Sequence, residues 1–266
     1  MSDVTFAFLL TVIAGSATGL GGLAILLTKG TSKKFLSICL SFSAGVMLYV
    51  SFAEILPEAF EDLEYSIGNG TGFLVATISF FAGILIVAAI DKFVPHYDNI
   101  DDSDELSKKD KQELKRTGVM AAIAIAIHNL PEGVMILMAA LHDPALGIAI
   151  AFAIILHNIP EGIATAAPIY YSTGSKLKAF LFAFVTGYVQ VLGALLAWFF
   201  MRNIFDEMEA VFGIAFAVVA GIMVYVAIHQ LLPAAQKFGK HHMVMKWLFA
   251  GMAVMAASLV VLEFVL

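Results

Sequence analysis

The strongest constraint on this chain is a succession of apolar runs, each about 20 residues long, enough to cross the roughly 30 Å hydrocarbon core of a bilayer. Eight can be marked, at about 4–28, 34–57, 71–93, 117–141, 145–170, 177–201, 208–233 and 244–266. Of 266 residues, 61% are hydrophobic and 14% charged. A water-soluble domain of that length has too little interior to hide so much apolar surface. The expected fold is therefore an all-α integral membrane protein of eight transmembrane helices in one domain, residues 1–266, with a long polar loop over 94–116. The stretch Met1 to Thr5 carries no basic residue ahead of the first apolar run, so that run is read as a retained helix rather than a cleaved leader.

Charge placement orients the spans. With the first loop in the cytoplasm, one side collects Lys29, Lys33, Lys34, Lys92, Lys108, Lys109, Lys111, Lys115, Arg116, Lys176, Lys178, Lys237, Lys240 and Lys246, and the other keeps only Arg202. The positive-inside rule then puts both termini outside, in the cell (inner) membrane. The outward loops are expected to carry Glu58, Glu61, Asp62, Glu64, Asp206, Glu207 and Glu209, a rim able to gather cations or simply to be solvated. The formal charge of −6 points to no nucleic-acid partner, and the lone Cys39 excludes an internal disulfide or a cysteine-based zinc cluster. Gly- and Ala-rich helix faces would permit a homodimer, although any tightly packed bundle has them.

Two internal repeats stand out. Residues 43–59, SAGVMLYVSFAEILPEA, match residues 219–235, VAGIMVYVAIHQLLPAA, on helices that run in opposite directions. Residues His128–Gly133 (HNLPEG) match His157–Gly162 (HNIPEG), again on antiparallel helices. Inverted repeats with a midplane site at their interface mark secondary transporters. Polar side chains at mid-membrane are costly, which argues against chance recurrence.

The spacing inside HNxPEG carries chemistry. His128 and Glu132 are one helical turn apart, as are His157 and Glu161, and Asn129 and Asn158 flank the same faces. Two such faces together offer imidazole nitrogens, carboxylates and amide oxygens, a set suited to zinc and also to Fe(II), Mn(II) or Cd(II). Pro131 and Pro160 cannot donate to the carbonyls of Ile127 and Leu156, so kinked helices with freed backbone oxygens are expected. Gly133 and Gly162 permit close helix approach. In the other repeat, Met47 and Met223 read as packing or as pathway residues. Glu54 and His229 are ionisable and fit either a metal route or snorkelling helix ends. His96, His241, His242 and Glu263 read as solvated or interfacial.

HNLPEG and HNIPEG on consecutive helices within eight spans closely resemble the ZIP (Zrt/Irt-like) divalent metal transporters. The stretch HNIPEGIATAAPIYYSTGSK is most similar to the bacterial branch of that family. The resemblance implies a 3+2+3 inverted-repeat arrangement and uptake of divalent metal, zinc foremost, as the transported substrate. By position it implies His128, Glu132 and Glu161 as ligands of one metal, and Asn129, Asn158 and Glu161 as ligands of a second with His157 beside them. Met47 and Met223 would line the outer entrance and His229 the exit. The chain departs from the family at Gln190 and Gln230, where Glu is usual. Glutamine keeps an oxygen donor and drops the charge, so one tight site with a weaker neighbour is expected. A metal-selective channel-like pore or a membrane metal sensor remains as an alternative. An intramembrane metalloprotease would want His-Glu-x-x-His, which neither motif supplies.

Overall fold

The computed structural model describes residues 3–26, 32–93, 107–201 and 209–264. Lys29, His96, Arg202, Asp206 and Glu207, and the side chains of Glu209 and Glu263, lie outside the described residues. Among the described residues there is no strand. The helices are α1 (Asp3–Leu26), α2 (Lys33–Val50), α3 (Leu56–Ile67), α4 (Asn69–Phe93), α5 (Lys108–His142), α6 (Pro144–Thr173), α7 (Lys176–Leu196), α8 (Glu209–Tyr225), α9 (Leu232–Phe238) and α10 (His241–Glu263). Among the described residues, eight helical spans are long and apolar enough to cross a membrane, with α2–α3 and α8–α9 each forming one span.

Three polar ends are helical where the hydropathy runs had stopped. The polar loop expected over 94–116 does not include 108–116. There α5 begins at a capping box in which Ser107 and Asp110 satisfy each other's backbone N–H groups. The acids Glu58, Glu61, Asp62 and Glu64 were expected in a loop but lie on α3, whose Ala59 and Leu63 pack with Ala76 and Ala217. The seventh span continues to Phe238 through α9. Hydropathy alone does not register helices held by caps, ion pairs or one apolar face.

The repeat over 43–59 and 219–235 is also a repeat of backbone shape. Each copy contains a π-helical turn, at Ser51–Ile55 and at Val226–Leu231. The Leu56 N–H donates five residues back to the Ser51 carbonyl, and the Leu232 N–H donates likewise to Ala227. The proline after each turn, Pro57 or Pro233, has no N–H to continue the α-ladder, and the widened turn absorbs the break. Helix partners repeat too. Gly45 of α2 lies against the Leu248 carbonyl of α10, and Gly221 of α8 against the Phe80 carbonyl of α4, where a Cβ would overlap the oxygen in either case.

Packing divides the helices into two groups. α1, α5, α6 and α7 pack chiefly on one another, while α2 packs on α10 and α3, α4 and α8 pack together. The seam between the groups is thinner, crossed mainly by α2 against α6 and by α5 against α8 and the second π-turn. In a membrane, where lipid is as apolar as any side chain, such contacts depend on close fit. Gly221→Leu is therefore expected to lower the thermal unfolding midpoint in detergent, with an overpacking cost of about 1–3 kcal/mol. Gly70→Ala, where an added methyl group meets nothing within 4 Å, should leave the midpoint in place.

Candidate metal centre

A tight turn sets the depth of the two motifs. α5 ends at His142, and α6 starts from Asp143, whose side chain accepts the Ala145 N–H. His128 and His157 are equally far from that turn along antiparallel helices, so they meet at one level. Both helices remain helical through Pro131 and Pro160. Gly133 lets the Gln190 backbone carbonyl of α7 approach α5, and Gly162 does the same for the Thr18 carbonyl of α1 against α6. The expected close approach at both glycines is present.

At that level His128, Glu132 and His157 offer three donor atoms within 4.8 Å of one another, all buried. The His157 Nε2–H donates to Glu132 Oε1 at 2.7 Å. His128 Nε2 lies 2.9 Å from the same oxygen and 3.6 Å from Glu161 Oε1. The two imidazole centroids are 6.0 Å apart. One carboxylate oxygen thus stands between two imidazoles, with a second carboxylate against the first ring. Tetrahedral zinc with bonds of about 2.0–2.1 Å separates its donors by about 3.3 Å, so each imidazole would have to move off the Glu132 oxygen by about half an ångström to share an ion with it.

The amides form a separate layer. Asn129 donates to the Thr186 carbonyl at 2.9 Å. Asn158 donates to the Ala14 carbonyl at 3.0 Å and to Gln190 Oε1 at 3.2 Å. These bonds use the amide nitrogens and leave the Asn129 and Asn158 side-chain oxygens buried with no hydrogen-bond partner, as are both Glu161 oxygens and Glu132 Oε2. Buried acceptors in this state are expensive, and a cation would satisfy them. The Gln190 oxygen is engaged by Asn158.

Glu54 approaches from the other helix group. It sits in the first π-turn with Oε2 4.0 Å from His157 Nδ1. A narrow cavity of about 30 Å³ is lined by Glu54, Glu58, His128, Glu132, His157 and Phe216 among others. Through shared residues Glu58, Met135 and Phe216 it adjoins a wider cavity of about 280 Å³ that reaches Asp62 and His142. Met47 and Met223 are fully buried in the hydrophobic core and line neither cavity. His229 and Gln230 lie away from the centre, in the second π-turn, with Gln230 on the buried Asp91. His157, which the family resemblance sets beside a second ion, is hydrogen-bonded to Glu132. Asp91 and Ser43 are not singled out by the sequence. Ser43 donates across the seam to the Pro160 carbonyl at 2.8 Å, a contact with no local sequence signal.

The sequence model of the ZIP zinc transporters matches residues 3–112 and 98–259, nearly the whole chain. The chain belongs to the ZIP zinc transporter family. Among similar proteins, the zinc transporter ZupT of Chlorobaculum parvum is 48% identical over 266 residues, covering 97% of this chain and 98% of its own length. The ZupT of Nitratidesulfovibrio vulgaris is 48% identical over 270 residues, covering 97% of each chain. That of Streptococcus mutans is 45% identical over 255 residues, covering 95% of this chain and 96% of its own. This ZIP protein is thus a multi-pass membrane protein of a family of transporters rather than enzymes. Because both imidazoles address the same Glu132 oxygen, His157→Ala and His128→Ala are each expected to weaken zinc binding by at least about 10-fold, measured by competition with a chromophoric chelator in detergent.

Proposed function

We propose that this protein carries divalent metal ions, zinc foremost, across the membrane into the cytoplasm by alternating access through the His128–Glu132–His157–Glu161 centre. The observation that carries the reading is the buried set of two imidazoles and two carboxylates, with unpartnered carboxylate oxygens, at the inner end of a cavity. Carboxylates in apolar surroundings need positive charge, and a dication supplies it to both at once. Nitrogen and oxygen donors at this spacing suit zinc and leave Fe(II), Mn(II) and Cd(II) as further substrates.

On this reading Glu58, Asp62 and His142 attract the ion to the outer cavity, and Glu54 receives it beside His157. The π-turn gives Glu54 its reach, because a widened turn displaces one side chain from the regular helical register. The inverted relation of α2–α3 to α8–α9 supports a 3+2+3 arrangement, in which shifting one helix group against the other exposes the centre to each side in turn. Both termini outside follows from the lysine distribution, and the homodimer permitted by the small-residue faces is a further part of the proposal.

Asn129, Asn158, Glu161 and Gln190 make a second position of lower charge, since Gln190 supplies no negative charge. One tight zinc per chain is expected in a titration of the natural protein. Gln190→Glu should add a second tight zinc, and two equally tight ions in the natural chain would refute this ordering.

The deciding experiment is zinc uptake into proteoliposomes that contain a zinc-sensitive dye. The natural chain should give a saturable signal, and His128→Ala combined with Glu161→Ala should reduce it to the level of protein-free vesicles. Equal signals from the two proteins would remove the transporter reading, and a current that grows with the gradient without saturating would replace the carrier with a pore. Competition by Fe(II), Mn(II) and Cd(II) in the same assay ranks the substrates.

A further inference from the structure

The two π-turns are equivalent in the repeat, yet they meet different surroundings. In the first, Glu54 faces the metal centre and lines its cavity. In the second, the matching residue is Gln230, and its Nε2 donates to Asp91 Oδ1 of α4 at 2.7 Å. Arg116 of α5 is ion-paired with the same Asp91 oxygen at 2.5 Å and donates to Gln230 Oε1 at 3.5 Å. The Tyr225 hydroxyl donates to Asp91 Oδ2 at 3.3 Å, and His229 Nδ1 lies 3.6 Å from that oxygen with its ring stacked on Tyr225. The ion pair is buried, with 10% of the Arg116 side chain and 3% of the Asp91 side chain exposed.

This network spans the seam. Arg116 belongs to the helix group that holds the metal centre, whereas Asp91, Tyr225, His229 and Gln230 belong to the other. A second tie joins the same two groups nearby, as Lys237 of α9 pairs with Asp110 at 2.8 Å and with Glu113, both of α5. The cavities lie on the opposite side of the centre. They follow α5 from His128 toward its C-terminal end, through Met135 and Met138 to His142. Arg116 lies in the other direction, about 18 Å from His128 at 1.5 Å per residue. One side of the centre adjoins a cavity, and the other is crossed by buried ion pairs.

A buried ion pair adds little net stability against its desolvation cost, but breaking it leaves an uncompensated charge. That asymmetry suits a contact that must be either fully made or fully released. We infer that Arg116 is the bolt of a gate, a cation of the protein itself that pairs with Asp91 across the seam and holds the side of the metal centre away from the cavity closed. The inference rests on the transporter reading for its purpose but not for its test.

Ala124 is buried on α5, two helical turns from Arg116 and one from His128, so it lies behind the gate. The test is Ala124→Cys in a Cys39→Ala background, labelled by a membrane-impermeant thiol reagent from the side bearing Lys108 and Lys237, in vesicles without metal. Labelling should be slow in this parent and at least about 10-fold faster with Arg116→Gln or Asp91→Asn, while Arg116→Lys should stay close to the parent. An unchanged rate in both charge-removing variants overturns the gate. So does a rise that Arg116→Lys shows equally, because that would report general loosening of the helices. As no metal is involved, a protein that fails to take up zinc can still show the gate, and a zinc-transporting protein can still fail to show it.

Discussion

Ionisable groups held in apolar surroundings must find compensating charge, and this requirement organises the molecule. Glu132, Glu161 and Glu54 converge on two imidazoles, and Asp91 takes a guanidinium. Neither set would persist among leucines and valines without its partners, because an isolated charge costs several kcal/mol to desolvate. The apolar helices supply length and close packing. These two clusters supply the reason for particular helices to meet at particular heights.

The repeated segments show how one backbone solution serves two tasks. A proline that follows a π-turn releases the helix from its regular register, and the residue three positions before the proline, inside the turn, faces the neighbouring helix group. In α2–α3 that residue is Glu54 and it meets histidine. In α8–α9 it is Gln230 and it meets aspartate and arginine. The amide at 230 can donate to Asp91 and accept from Arg116 together, which a carboxylate at that position would not do. An amide there suits the aspartate already in place, because Asp91 neutralises Arg116 and a second carboxylate would face Asp91 as a like charge.

Much of this was legible in the sequence because the signals were periodic or repeated. Eight apolar runs gave eight spans, and HNLPEG with HNIPEG gave the buried centre, since equal distances from one tight turn leave little freedom of depth. What escaped was set by contacts between distant segments. The assignment of His157 to Glu132 depends on the rotation of α6 against α5, which spacing along one helix does not encode. The start of α5 at Lys108 depends on Asp110 and Glu113 meeting Lys237 from the far end of the chain. The partnership of Asp91 with Arg116 likewise joins residues that no local pattern connects. Met47 and Met223, equivalent in the repeat, are both buried in the hydrophobic core.

The length of α5 has a mechanical meaning. A helix of 35 residues extends about 52 Å, well beyond the roughly 30 Å hydrocarbon layer it crosses. From His128 to its first residue the arm is about 30 Å, and that arm carries Arg116, Glu113 and Asp110. A tilt of about 10° pivoting near the histidines would sweep the tip through about 5 Å, enough to part hydrogen-bonded ions while displacing the ligands hardly at all. On the proposed function, the helix that carries His128 and Glu132 would also act as a lever, with its fulcrum close to the proposed metal centre.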